Sequence, residues 1–436
     1  MRIRSPRSAL AVCAVAVALT ATGCSSSSSS TTAAAEPSQT GPITMQFWAW
    51  APGYQQIAAK WNAAHPNEQV VFKQIPSGGK GGYTQISDAI AAGKGPCLAQ
   101  IEYGVIPSLL VKNDLMDITR YAESDMSKYA SSAVAASSVD GLVYGIPVDL
   151  GPMVLFYRKD LFAEYGITTP PATWAEYEAD AEKVAARNSA VKFGTAPQDG
   201  NDLAALTWQT GSPWYSASGS SWTVSIANSG TEKVAAFWQE MKDKGLLLNS
   251  GNAWDPQFDK ASEQGDIAAF VNAGWAAAGL KQDLADLSGK WAVAPLPIWS
   301  ASDTASSDNG GSDTSVMSGC KTPREAEQFA TYLSSDAQAL DIDITVGGLY
   351  PAAKAGQDNA LLQKGDAYFG GQNIYTVLKQ SAAQIPTTWV NGPTYQQVET
   401  DFTTAIGQGS YPAAVTTVQK STLTAIKSLG LSVTGG

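Results

Sequence analysis

The stretch ITMQFWAWAPGYQQIAAKWNAAHPNEQVVFKQI, Ile43 to Ile75, reads as strand, helix, strand. Ile43 to Trp50 is an apolar and aromatic run of strand length. Tyr54 to His65 carries apolar residues at helical spacing until Pro66 stops it, and Val70 to Ile75 is a second strand. Outward from there follow the glycine-rich loop Ser77 to Gly82, a helix from Tyr83 to Ala92 and a third strand, Leu98 to Ile101. Strands alternating with helices of this length predict an α/β fold with a mostly parallel sheet covered on both faces. Later helix starts are signed by capping-box spacing at Thr173 with Glu176, Ser229 with Glu232 and Thr322 with Glu325, the last with Pro323 at the first helical position. Gly245, after Lys242 and Lys244, fits a helix C-terminal cap. Between Trp299 and Ser315 apolar residues nearly vanish among Asp303, Asp308, Asn309, Gly310 and Gly311, which predicts a loop-like chain crossing. No repeat of solenoid length is present.

The chain starts with a basic segment, Arg2, Arg4 and Arg7, followed by an apolar run from Ala9 to Ala21 that is too short to span a bilayer. This predicts a signal peptide over residues 1–23. Residues 24–40 are a Ser/Thr/Ala tract with nothing to bury, expected to be a flexible tether. About 400 residues remain, more than one hydrophobic core usually serves, so two domains are expected. The formal charge is -11, and loss of the three signal-peptide arginines takes it to -14. That balance disfavours nucleic acid or an anionic membrane surface as a partner. Of four cysteines, Cys13 leaves with the signal peptide. In an extracytoplasmic setting Cys97 and Cys320 suggest one disulfide, with two buried free thiols as the alternative.

Most catalytic chemistry lacks its residues. His65 is the single histidine, which leaves no material for a histidine triad, a histidine-ligated metal or a histidine acid/base pair, and its place before Pro66 suits a structural role. There is no nucleophile elbow, phosphate loop or dinucleotide fingerprint, and the aspartates of 303–313 lack the spacing of a calcium loop. No cofactor and no metal are expected. Tryptophan is abundant instead, thirteen in all. Trp50, Trp214, Trp275, Trp299 and Trp389 fall in loops or at strand ends, where flat indole rings suit the apolar faces of pyranoses and neighbouring polar groups suit their hydroxyls. Trp61, Trp238 and Trp291 lie in regular helical or strand patterns and read as core.

The segment Ala21-Thr22-Gly23-Cys24 resembles a bacterial lipobox. That resemblance implies acylation of Cys24, a mature chain beginning there, and a lipid anchor on the extracytoplasmic face of the cell membrane. LFYRKDLFAEYGITTPPATW, Leu155 to Trp174, is similar to the hallmark of the extracellular solute-binding proteins (family 1) that feed bacterial ABC sugar importers. Further matches follow in the same order: Gly274-Trp275 after the strand Ile267 to Val271, WAVAPLP at Trp291 to Pro297, NGGS at Asn309 to Ser312, the helix Glu325 to Ser334, GGLYP at Gly347 to Pro351, YFGGQ at Tyr368 to Gln372, and Trp389 to Tyr395.

The resemblance implies a two-lobed, type II periplasmic-binding-protein-like α/β fold, with lobes joined by three hinge crossings and the ligand between them. The crossings fall near Pro147 to Pro152, Asn309 to Ser312 and Gly348 to Ala352. One lobe is then 41–150 plus 312–350, the other 151–311 plus 351–436. In this arrangement Cys97 begins one strand and Cys320 ends an antiparallel neighbour, which supports the disulfide. The expected cleft residues are Trp50, Glu102, Tyr103, Asp149, Trp214, Trp275, Gly311, Tyr350 and Tyr395, with Trp275 as the aromatic platform and Glu102 and Asp149 as hydroxyl acceptors. The implied function is capture of a sugar, an oligosaccharide in particular, by a monomer without enzymatic activity that delivers it to separate ABC permease subunits. A cell-surface glycoside hydrolase, or the same fold binding an amino acid, polyamine or metal, are the competing readings.

Overall fold

The computed structural model describes residues 41–218, 221–249, 255–300, 303 and 305–435. The signal peptide, Cys24 and the tether lie outside them. A five-stranded sheet runs in the order Glu68–Gln74, Ile43–Ala49, Leu98–Glu102, Ser312–Val316, Gly145–Pro147. Ile43–Ala49 is parallel to both its neighbours, and Phe47 at its centre is fully buried against the rings of Tyr54, Phe72 and Phe329. The helix Tyr54–Ala64 covers this sheet with Tyr54, Ile57, Ala58 and Trp61, the stripe that helical periodicity dictates. His65 caps that helix and stacks on Trp61 at 3.6 Å between ring centroids, a structural role.

The sheet is mixed rather than mostly parallel. Ser312–Val316 runs antiparallel to Leu98–Glu102 on one side and Gly145–Pro147 on the other. Its sequence SDTSV looks like loop, yet every residue of it is buried. Two of its polar residues are accommodated by hydrogen bonds: the Ser312 hydroxyl donates to Asp149, distant in sequence, and the Ser315 hydroxyl to Asp313. A second sheet, Ala269–Ala273, Met153–Arg158, Trp291–Pro295, is antiparallel throughout. Its central strand alternates in the manner of a sheet buried on both faces, with Val154 and Phe156 in one core and Met153 and Leu155 in the other. Trp61, Trp238 and Trp291 are all core residues.

The chain passes between the two sheets after Gly145–Pro147, again between Trp291–Pro295 and Ser312–Val316, and a third time beyond the helix Ala337–Thr345. These passages lie side by side: Tyr350–Pro351 pairs with Asp149–Leu150, and Pro152 bridges Asp308. Cys97 and Cys320 are joined by a disulfide at the end of the paired strands Leu98–Glu102 and Ser312–Val316.

Local signals were realised unevenly. Thr173 and Glu176 form a full capping box. Gly245, at φ 68°, closes its helix with bonds from Gly245 N to Lys242 O and Leu246 N to Met241 O. The cap expected at Ser229 belongs to Asn228, whose side chain accepts from Thr231 N and so starts the helix one residue earlier. Thr322 makes no cap bond, because its hydroxyl turns to the disulfide sulfurs at 3.9 and 4.0 Å.

Asp313 gives this fold a pH dependence. It is fully buried, with Oδ2 lacking a partner, and burial raises its carboxyl to about 8. A buried acid with a raised pKa is favourable when protonated, so its contribution is whole below the ordinary value of 3.8 and is lost as pH rises through about 8. Asp149 and Asp308, raised to about 6 and about 7, act in the same direction. Urea unfolding should therefore show wild-type stability declining between about pH 4 and pH 8, by on the order of a few kcal/mol for Asp313 itself. Asp313→Asn, neutral at every pH, should show a flatter profile, and parallel profiles for the two proteins would rule Asp313 out.

Candidate ligand-binding cleft

The carboxyl ends of Ile43–Ala49 and Leu98–Glu102 deliver Trp50 and the pair Glu102 and Tyr103 to one place. Gln100, nearly buried, holds the first of these turns by accepting from the backbone N–H of Trp50 and Ala51 at 3.1 and 3.0 Å. Trp50 meets the Tyr83 ring edge-on at 5.7 Å, and the Tyr83 hydroxyl donates to Glu102 Oε2 at 2.8 Å. Burial raises the Glu102 pKa despite that bond. Trp50 and Glu102 line a cavity of about 450 Å³ together with Asp149, Asn201, Trp275 and Gly311.

Trp275 reaches this cavity from the far sheet, just beyond Ala269–Ala273, and its Nε1–H donates to Asn309 O at 2.8 Å. Asp149 sits in the first passage with Oδ1 accepting from both Ser312 N and Ser312 Oγ, at 2.9 and 2.7 Å. Part of its acceptor capacity thus ties two passages together, and burial raises its carboxyl to about 6. Gly311 has φ 75°, and a Cβ there would stand 2.8 Å from the Tyr103 ring, so only glycine fits.

A second cavity adjoins the first through Glu102, Asn201 and Gly310. Tyr103, Trp214 and Tyr395 line it. Tyr103 donates to Asp149 O at 2.9 Å. Trp214 is 2 % exposed, donates to Thr231 Oγ1 and packs on Phe402 and Trp389, so most of its ring serves the core. Tyr395, at the start of the helix Tyr395–Gln408, donates from its backbone to Ser108 Oγ and from its hydroxyl to Asn201 Oδ1 at 2.6 Å.

Eight of the nine expected cleft residues line these cavities. Tyr350 lines neither: it is 2 % exposed, its hydroxyl has no hydrogen-bond partner, and its backbone pairs with Leu150, because the third passage turns the ring into the core. Trp389 joins the second cavity, whereas Trp299 packs on Trp174 and Phe237 outside both. Sequence reasoning missed Trp208, Asn201 and Glu399. Trp208 stacks on Trp389 at 5.1 Å and 13° and was hidden at the end of an ordinary helix, Gly200–Trp208. Asn201 donates to Asn309 Oδ1 at 2.7 Å and receives the Tyr395 hydroxyl, contacts that no local pattern announces. Among the described residues no group of three or more His, Cys, Asp or Glu could hold a metal ion, and no helix is long and apolar enough to cross a membrane.

Comparison with known proteins gives this cleft its context. The chain is 28% identical to the galacto-N-biose-/lacto-N-biose I-binding protein of the ABC transporter from Bifidobacterium longum, whose structure in complex with lacto-N-biose it matches with a TM-score of 0.83, over 91% of this chain and 100% of that one. It is 26% identical to an ABC transporter associated binding protein from B. animalis subsp. lactis in complex with β-1,6-galactobiose, at a TM-score of 0.80, over 90% and 99%. The arabinooligosaccharide-binding protein of Halalkalibacterium halodurans is 23% identical over 78% of each chain. These likenesses make the fold that of the two-lobed periplasmic solute-binding proteins. With residues 49–340 matching the family outright, the chain belongs to the bacterial extracellular solute-binding proteins.

Proposed function

We propose that this protein is the lipid-anchored receptor of an ABC importer, which captures a saccharide in the cleft, closes around it and delivers it to the permease without altering a bond. The observation that carries the reading is the cavity between Trp50 and Trp275, whose indole rings reach it from different sheets with carboxylates beside them. The sugar-binding names of the relatives support it. In this reading Cys24 bears the anchor, 41–150 plus 312–350 form one lobe, and 151–311 plus 351–436 form the other. Trp50, Glu102, Tyr103, Asp149, Trp214, Trp275, Gly311 and Tyr395 contact the ligand, the indoles by stacking and the carboxylates by accepting hydroxyl hydrogen bonds. Contacts made only in the closed form shift the population toward it.

A thermal-shift screen across mono- and oligosaccharides, amino acids and polyamines tests the reading, since a bound ligand raises apparent stability by mass action. Saccharides should stabilise, and the oligosaccharides should be recovered uncleaved; cleavage products would favour a glycoside hydrolase instead. For the best saccharide, Trp275→Ala should cost about 1–3 kcal/mol of affinity by loss of stacking. Calorimetry that returns the wild-type affinity for this variant would take Trp275 out of the site.

A further inference from the structure

The second cavity joins many aromatic rings to several acids, with no basic side chain among the described residues that line it. Six aromatic rings wall it, those of Tyr103, Trp208, Trp214, Tyr215, Trp389 and Tyr395, and three carboxylates line it, Glu102, Asp308 and Glu399. Asp149, Asp199 and Asp202 line the adjoining cavity. Among the described residues, no Lys, Arg or His lines either one. Asp308 is 5 % exposed, and its Oδ1 has no hydrogen-bond partner although it stands at this wall. The hydrogen-bond partners of Glu102, Asp149, Asp199 and Asp202 are neutral: the Tyr83 hydroxyl, Ser312, and backbone N–H groups for the last two.

Asp149 and Asp308 are buried and Glu102, Asp199, Asp202 and Glu399 half-buried, and carboxylates crowded in this way without a counter-charge repel one another and lose hydration. Burial and the neighbouring Glu102 and Asp199 raise Glu399 to about 8, and burial raises Asp308 to about 7, so both carboxyls favour the protonated form in these surroundings. A hydroxyl-only ligand leaves that charge problem as it stands. A protonated amine removes it, and the surrounding ring faces attract the same cation.

We infer that the ligand is an amino sugar whose ammonium group sits in the cavity walled by Trp208, Trp389 and Tyr395, against Glu399, Asp308 and Glu102. This rests on the saccharide reading above and narrows it. Docking the ammonium exchanges the stored protons for a fixed positive charge, so protons leave the site as the ligand enters.

The test uses pairs of sugars that differ only by an amine in place of a hydroxyl: glucosamine with glucose, galactosamine with galactose, and the β-1,4-linked glucosamine disaccharide with cellobiose. Calorimetry near neutral pH should show the amino member of a binding pair held at least about tenfold tighter, with the advantage shrinking as salt is raised. Its apparent heat should vary with the ionisation enthalpy of the buffer, reporting proton release. Glu399→Gln should abolish the preference, and Asp308→Asn should weaken it, providing a second reading should the first variant fail to fold. A neutral sugar bound as tightly as its amino partner overturns the inference and leaves the saccharide reading standing. Stabilisation by putrescine or spermidine with none by any sugar overturns both, as does the absence of stabilisation by every pair.

Discussion

Removing the disulfide, by replacing Cys97 and Cys320 with serine together, is expected to lower the unfolding free energy by on the order of 5 kcal/mol. The bond spans 223 residues of sequence, and closing so wide a loop restricts the unfolded chain severely. Its position sharpens the expectation. It joins the start of Leu98–Glu102 to the end of Ser312–Val316, the antiparallel pair at the middle of the first sheet. Everything from Gly145 through the whole second sheet is threaded between those two cysteines. Without the bond, the polar strand Ser312–Val316 must find its register after that excursion through strand pairing and the Ser312–Asp149 bonds. Urea unfolding of the double variant measures the loss, and a decrease below about 1 kcal/mol would show that the sheet holds the strand unaided.

Gly104→Val should reduce ligand affinity about a hundredfold, on the order of 3 kcal/mol, while leaving the unliganded fold within about 1 kcal/mol of wild type. Gly104 follows the strand Leu98–Glu102, and a Cβ there would stand 2.4 Å from the ring of Tyr395. That ring cannot swing aside freely, since its hydroxyl is bonded to Asn201 and its backbone to Ser108. In the proposed closure mechanism, with the arrangement described above as its closed form, the added side chain acts as a wedge between the turn at 103–105 and the helix Tyr395–Gln408, and that form loses stability relative to an open one, which the unliganded variant adopts without the clash. Affinity is reduced by the fraction of molecules no longer able to close. Calorimetry reads the affinity, and solution scattering should find the liganded variant more open than liganded wild type. Unchanged affinity would mean that closure tolerates displacement of Tyr395.

The fate of individual sequence signals shows where reading from sequence stops. Ile43–Ile75 could be parsed into strand, helix and strand because its periods are local, and the buried stripe Tyr54, Ile57, Ala58, Trp61 is the one its spacing implies. Ser312–Val316 could not, because SDTSV has no apolar pattern and its burial depends on partners such as Asp149, far away in the chain. Tyr350 was expected at the cleft and lies behind it, since pairing with Leu150 sets which way its ring turns. Trp208, which no sequence signal singled out, stacks on Trp389 in a cavity wall.

By itself the sequence determined the α/β class, the elements of the first sheet's parallel part, the lack of histidine chemistry and the ordered motifs of the family. Only the tertiary structure decided the antiparallel pairing of Gly145–Pro147 and of the second sheet, the turning of Tyr350 into the core, and the meeting of Asn201 and Asp308 with Glu102 and Tyr395 around one cavity. The physical reason is range: helix and strand periods are written in neighbouring residues, whereas a cavity wall is assembled by sheet register and chain crossings from side chains that share no local pattern.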